Sequence, residues 1–222
     1  MAKLFKVNPS DFAFLWDECQ RCFYRKVVLG ITRPRTPMAK VFILIDGLMK
    51  RFYLGAPTSS LSPTLAAGRI EAGDMWLRSK PIEIEGHGAS CYIVGRPDSI
   101  IAFEDGSYGV IDFKTSRSKD NHVALYSRQL HSYGYALENP APRAEGLYPI
   151  TTYGLHCVTP ISMGGNGAGL SFEMEAIWIP IEKEENKFLE FMDEVLTVLE
   201  RRTPPDAGEE CLYCRYFHEG IA

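Results

Sequence analysis

No long hydrophobic run interrupts this sequence. Its longest aliphatic stretch, Val41 to Ile45, is stopped at once by Asp46, far short of the ~20 apolar residues that span a bilayer. No apolar stretch follows Lys3 and Lys6 near the amino terminus, which excludes a secretory signal there and predicts a cytoplasmic protein without a membrane partner. Internal repeats and low-complexity linkers are absent, and the five histidines show no zincin spacing. Cysteine is scarce: six in 222 residues is no disulfide miniprotein, and in a cytoplasmic chain these six are expected to be thiols or metal ligands.

Apolar residues make up 45% of the chain and charged residues 23%, enough to bury a real core and too ordinary for disorder or a collagen-like repeat. The net charge of −4 hides an asymmetry. Residues 1–51 carry ten Lys/Arg against four Asp/Glu, and residues 52–222 carry fourteen against twenty-four. A basic segment beside an acidic body suits a polyanion-binding face with metal-binding carboxylates elsewhere, although a solvated helix face gives the same count.

Hydrophobic spacing predicts a helix capped by Ser10 and running to about Leu29, with Phe12, Leu15, Trp16, Cys19 and Phe23 on one side. A second helix is expected over Ala39 to Leu54, and a third, interrupted by Gly68 and Gly73, as far as Arg78. The texture then becomes extended. Pro81–Glu85, Ser90–Gly95, Asp98–Phe103 and Tyr108–Thr115 read as strands, with a hairpin turn at Asp105-Gly106. Helical spacing returns over His122–Leu137. Strands Thr151–Val158 and Leu170–Ile179 follow, joined by the glycine-rich loop Met163–Gly169, which has no Lys-Ser/Thr after it and so reads as a hairpin loop rather than a phosphate loop. An amphipathic helix, Glu184–Arg201, precedes a short tail. The order implies an α/β fold with a helical lobe.

The sharpest local signal is Gly95-Arg-Pro-Asp98 followed by Asp112-Phe-Lys114. Side chains alternate along a strand, so Val110, Asp112 and Lys114 should share one face, with Ile111 and Phe113 pressed into the core on the other. Folding back at Asp105-Gly106 can bring Asp98 beside Asp112. Two carboxylates and the Phe113 carbonyl make an oxygen site suited to Mg²⁺ or Mn²⁺. A neighbouring lysine can orient a nucleophilic water and offset phosphate charge. A similar tripeptide, Glu185-Asn-Lys187, lies on a polar helix face without a partner aspartate. Further on, Gln129 and Tyr133 sit one turn apart on one helix face. At the two ends of the chain, Cys19-Gln-Arg-Cys22 and Cys211-Leu-Tyr-Cys214 form a split pair of CxxC hooks, four thiolates for a zinc ion or an iron–sulfur cluster. Cys91 and Cys157 fall in strands and read as core residues.

Taken in series, Gly-x-x-Asp, Val-Ile-Asp-Phe-Lys-Thr and Gln-x-x-x-Tyr resemble the RecB-like branch of the PD-(D/E)XK nuclease superfamily. That resemblance implies a mixed central sheet with an αβββαβ restriction-endonuclease-like core. It also implies a single nuclease domain over 1–222: a helical lobe over 1–80, a catalytic core over 81–180, and a C-terminal helix and cysteine tail over 181–222. Asp98 and Asp112 would be the metal carboxylates, Lys114 the catalytic lysine, and Gln129 and Tyr133 the substrate-positioning pair. Asp46 stands where the family commonly has a histidine on an early helix, and would supply an oxygen ligand instead. The segment Glu18-Cys-Gln-Arg-Cys-Phe-Tyr is similar to the cysteine motif of CRISPR-adaptation exonucleases and RecB-like helicase nucleases. Those proteins hold a [4Fe–4S] cluster with one early and three late cysteines. Two early and two late cysteines leave the cluster and a structural Zn²⁺ both open.

The resemblance implies a Mg²⁺-dependent DNA nuclease, acting on single-stranded DNA or DNA ends, with protein partners in CRISPR adaptation, recombination or repair. Basic residues Arg21, Arg25, Lys26, Arg33 and Arg35 would contact phosphates. The alternatives are an inactive nucleic-acid-binding or assembly subunit of the same fold, and a site-specific endonuclease.

Overall fold

The computed structural model describes residues 3–34, 39–73, 75–115 and 120–219. Strand β1 (Leu4–Val7) leads into a π-helical turn over Asp11–Leu15, then α1 (Trp16–Glu18), α2 (Gln20–Leu29) and α3 (Lys40–Tyr53). Strands β2 (Gly68–Ala72), β3 (Leu77–Arg78), β4 (Ser90–Gly95), β5 (Ser99–Phe103) and β6 (Tyr108–Lys114) follow. Then come α4 (Asp120–Glu138), β7 (Ile150–Gly165), β8 (Leu170–Ile181), α5 (Glu185–Leu199) and α6 (Leu212–Glu219).

The strands form a five-stranded sheet in the order β2-β5-β6-β7-β8 and a three-stranded sheet in the order β1-β4-β3. In the larger sheet only β6 and β7 run parallel. A parallel pair needs a crossover, and α4 provides it. This is a mixed α/β fold with the expected αβββαβ order, taken through α3, β2, β5, β6, α4 and β7.

The sheet separates two cores. On one face Val110 and Leu155 pack with Leu130, Tyr133 and Leu137 of α4 and with Phe191, Met192 and Val195 of α5. On the other, Ile101, Ile111 and Phe113 pack with Met49 and Tyr53 of α3. Strand β6 is thus covered on both sides, which suits its run of Val110, Ile111 and Phe113.

Several elements differ from the sequence expectation, each for a definable reason. The third helix is instead strands β2 and β3, and its two glycines allow close backbone approach. A Cβ at Gly68 would meet the Ala102 carbonyl oxygen at 2.5 Å, and one at Gly73 the Pro97 carbonyl oxygen at 2.3 Å. The 1–80 segment is therefore not purely helical: it contains β1, β2 and β3. Pro81–Glu85 forms no strand, only a bridge from Ile82 to Cys91. Strand β4 leaves the meander to pair in parallel with β1, and β2 takes its place beside β5. Ser10 makes no side-chain cap; Asn8 accepts from the Asp11 N–H at 3.0 Å through its carbonyl instead. The first helix breaks at Cys19, whose backbone is extended (φ −168°, ψ 101°).

Candidate active site and cysteine metal centre

The β5–β6 hairpin sets the geometry. Its register pairs Ala102 with Tyr108 and Ser99 with Ile111, so one step further Asp98 falls opposite Asp112. The backbone ladder stops there, and the Asp98 side chain continues it: the Phe113 N–H donates to Asp98 Oδ2 at 3.0 Å. At the turn, Gly106 adopts φ +85°, the left-handed region that favours glycine. Strand alternation holds, with Ile111 and Phe113 in the core beneath α3 and Asp112 turned toward α4.

Asp112 is only 4% exposed. Its Oδ2 pairs with the Lys114 ammonium, and Gln129 Nε2 lies 3.5 Å from its Oδ1. Burial, reinforced by the nearby Asp98 charge and opposed by Lys114, pushes the Asp112 carboxyl up to about 6. Burial by itself would lower the Lys114 ammonium, yet Asp112 raises it above its ordinary value. That ammonium also lies 4.3 Å from the centre of the Tyr126 ring, a contact the sequence reading missed because it treated Tyr126 only as core.

Gln129 and Tyr133 both lie on the sheet-facing side of α4 and both are buried. Tyr133 packs against Gly95 and Pro9, where a Cβ on Gly95 would come within 2.9 Å of its ring. The ring is therefore enclosed by protein rather than open to solvent. Tyr133 is a wall of the site, and its hydroxyl meets Gln129. Burial pushes that hydroxyl up to about 12, so it stays a phenol throughout the working range.

Asp46 lies on α3, half-exposed, and does not join Asp98 directly. Lys50, one turn along, stands between them, with its Nζ 2.9 Å from Asp46 Oδ2 and 2.7 Å from Asp98 Oδ1. Among the described residues the three carboxylates do not form a tight ligand cluster. A cation nevertheless fits the donor set. The buried Gln129 Oε1 has no hydrogen bond, and Asp112 Oδ2 is held by the Lys114 ion pair alone.

The candidate phosphate contacts divide. Lys26 pairs at 2.5 Å with Asp11, a buried carboxylate. Arg33 turns inward to Glu18 at 2.6 Å and donates to Cys211 Sγ at 3.0 Å. Neither is available as a free surface cation. Arg21 and Arg25 lie on α2, partly exposed, and Arg35 is outside the described residues. His131, on the same helix as Gln129, is buried: its Nδ1 donates to the Ser127 carbonyl at 2.8 Å and its Nε2 accepts from the Glu184 N–H at 2.8 Å.

The cysteine hooks do meet. Cys19, Cys22, Cys211 and Cys214 are all buried, with their sulfurs within 4.8 Å of one another. The break at Cys19 turns its thiol toward α6, where Cys214 Sγ lies 3.8 Å away, and Cys22 Sγ is 3.5 Å from the same atom. Burial alone would raise the Cys19 thiol, but N–H donors from Gly208 and Cys22 bring it down to about 7. A donor set of four sulfurs with one easily ionised thiol fits a thiophilic metal centre. Cys91 and Cys157 are buried in strands away from this group.

The family model described as the PD-(D/E)XK nuclease superfamily matches residues 63–218. The match includes Asp98, Asp112, Lys114, Gln129 and the late cysteines, and begins after α3. No curated protein matches the sequence. Seven solved chains match the structure. One, described as "Crystal structure of SSO0001", is 18% identical, with 96% of this chain and 84% of that chain covered and a TM-score of 0.46.

Proposed function

The chain belongs to the PD-(D/E)XK nuclease superfamily, and from that membership we propose that it is a Mg²⁺- or Mn²⁺-dependent deoxyribonuclease acting on single-stranded DNA or DNA ends. The carrying observation is the hairpin register that sets Asp98 opposite Asp112, with the Lys114 ammonium on Asp112. Asp98 and Asp112, with Asp46 from α3, would hold the divalent ion. That ion supplies Lewis-acid activation of water and phosphate when bound. Lys114 orients the nucleophile and offsets charge developing on the phosphoryl oxygens. Gln129 holds Asp112 in its rotamer, and Tyr133 holds Gln129. Arg21 and Arg25 attract the DNA backbone.

The cysteine centre has a structural duty in this reading. Its closest sulfur pairs lie 3.5, 3.8 and 3.9 Å apart. A tetrahedral ion with Zn–S bonds of about 2.3 Å has sulfur–sulfur edges of about 3.8 Å. A four-iron cluster carries one thiolate on each iron, which spreads the sulfurs further apart. The spacing supports a single Zn²⁺.

Incubating end-labelled single-stranded, duplex and closed circular DNA with the protein and Mn²⁺ tests the activity. Loss of the linear substrates with the circle intact is expected. Nicking of the circle into discrete products would favour the site-specific endonuclease, and no hydrolysis of any substrate would remove the nuclease reading.

A further inference from the structure

We propose that Lys50 is a tethered stand-in cation of this site. It holds Asp46 and Asp98 until a divalent ion takes them, then carries its charge to the scissile phosphate. The inference rests on the nuclease reading above. Its basis is the bridge itself, 2.9 Å to Asp46 Oδ2 and 2.7 Å to Asp98 Oδ1, which joins two elements through one ammonium. The helix brings the first pair within reach, because residues four apart share a face. The second spans from α3 to the start of β5, and Met49 and Tyr53, anchored in the core on either side of Lys50 in sequence, fix where its stem starts.

Charge balance then constrains its role. Asp46, Asp98 and Asp112 face Lys50 and Lys114, so this set of five side chains carries one net negative charge. A divalent cation makes the site positive by one, and a phosphodiester with its single negative charge restores neutrality. With Lys50 removed, the metal-loaded site would be neutral before substrate arrives and negative after. Lys50 therefore fits a site that is charged correctly only when metal and phosphate are both present. A lysine suits such an exchange, since its compact ammonium sits on a flexible four-carbon stem.

Mn²⁺ titration by calorimetry on the wild type, Lys50→Met and Lys50→Arg tests this. Binding of a nuclease-resistant phosphorothioate oligonucleotide at saturating Mn²⁺ is measured on the same proteins. Lys50→Met should bind Mn²⁺ about tenfold more tightly, because no ammonium competes, and bind the oligonucleotide about fivefold more weakly. Lys50→Arg, which keeps the charge, should stay nearer the wild type. Unchanged or weakened Mn²⁺ affinity in Lys50→Met overturns the proposal while leaving the metal site in place. Tightened metal with unchanged oligonucleotide affinity overturns the transfer to phosphate and retains the stand-in role. If neither the wild type nor Lys50→Met binds Mn²⁺, the metal-site reading falls, and the role of Lys50 with it.

Discussion

A charged pair as enclosed as Asp112 and Lys114, whose side chains are 6% and 17% exposed, is sensitive to the loss of either member. Asp112→Asn leaves an ammonium without its partner, and Lys114→Met leaves a buried carboxylate alone. Each change should cost about 3 kcal/mol of stability, because an uncompensated charge remains inside. The double variant removes both charges and should recover much of that loss. Urea unfolding of the four proteins measures it, and additive single losses in the double variant would show that the pair is not coupled. Asp98, Asp112 and Lys114 were legible in the sequence because strand alternation and a hairpin centred on Asp105-Gly106 are local rules. Lys50 was not, since its contact with Asp98 crosses from one element to another. The outlook of Tyr133 was ambiguous for a different reason: its spacing from Tyr126, Leu130 and Leu137 suits a core face as well as a binding face. Its burial now predicts that Tyr133→Ala costs about 3–5 kcal/mol, measured by the same unfolding curves, rather than acting on DNA binding alone.

Two histidines couple elements, and both work as neutral rings. His131 joins α4 to the start of α5 and spends its Nε2 as an acceptor. His156 of β7 lies 2.8 Å through Nε2 from the Tyr53 hydroxyl of α3. Burial lowers His131 below its ordinary value and brings His156 down to about 4. With a folded value near 4 and an unfolded value of about 6.5, the unfolded state binds more protons in between. Stability from this ring is complete above about 6.5 and drains away as pH falls toward 4, by about 2 kcal/mol at pH 5. Asp112 acts in the opposite sense, since its raised folded value favours the native state as pH falls from about 6. The contribution of His156 is therefore read from a comparison: His156→Gln should show a shallower loss between pH 7 and pH 5 than the wild type. Equal slopes would mean that the ring titrates normally in the fold. At this scale the sequence revealed α4, α5 and the β5–β6 hairpin, whose periodicities are strong. It hid β1, which is four residues long, and β2, whose glycines signal close strand approach as readily as a broken helix.

Over the whole molecule, the cysteine centre closes the largest loop, tying Cys19 and Cys22 to Cys211 and Cys214. The pairing was legible because two CxxC hooks have few other uses. The number of metal ions it suits was not, since that depends on the distance between sulfurs. Removing the ion with a strong chelator should cost about 3 kcal/mol, the typical measured scale of a crosslink, and lower Tm by about 6–12 °C. Cys211→Ser should reproduce the loss and Cys91→Ser should not; retention of metal by Cys211→Ser would exclude it as a ligand. Metal analysis is expected to give one zinc per chain and no iron.

The basic early segment offers fewer free cations than its composition suggests, because Lys26 and Arg33 are held by Asp11 and Glu18. On the nuclease reading, phosphate attraction then falls to fewer residues, and the reacting centre would supply part of the grip on substrate. The role of Asp112 in metal-dependent cleavage is tested most directly by hydrolysis of end-labelled single-stranded DNA by the wild type and by Asp112→Asn, with Mn²⁺ and with chelator. Cleavage is expected only by the wild type with Mn²⁺, while the variant remains folded by circular dichroism. Equal cleavage by the folded Asp112→Asn variant, or cleavage that persists with chelator, would contradict this role.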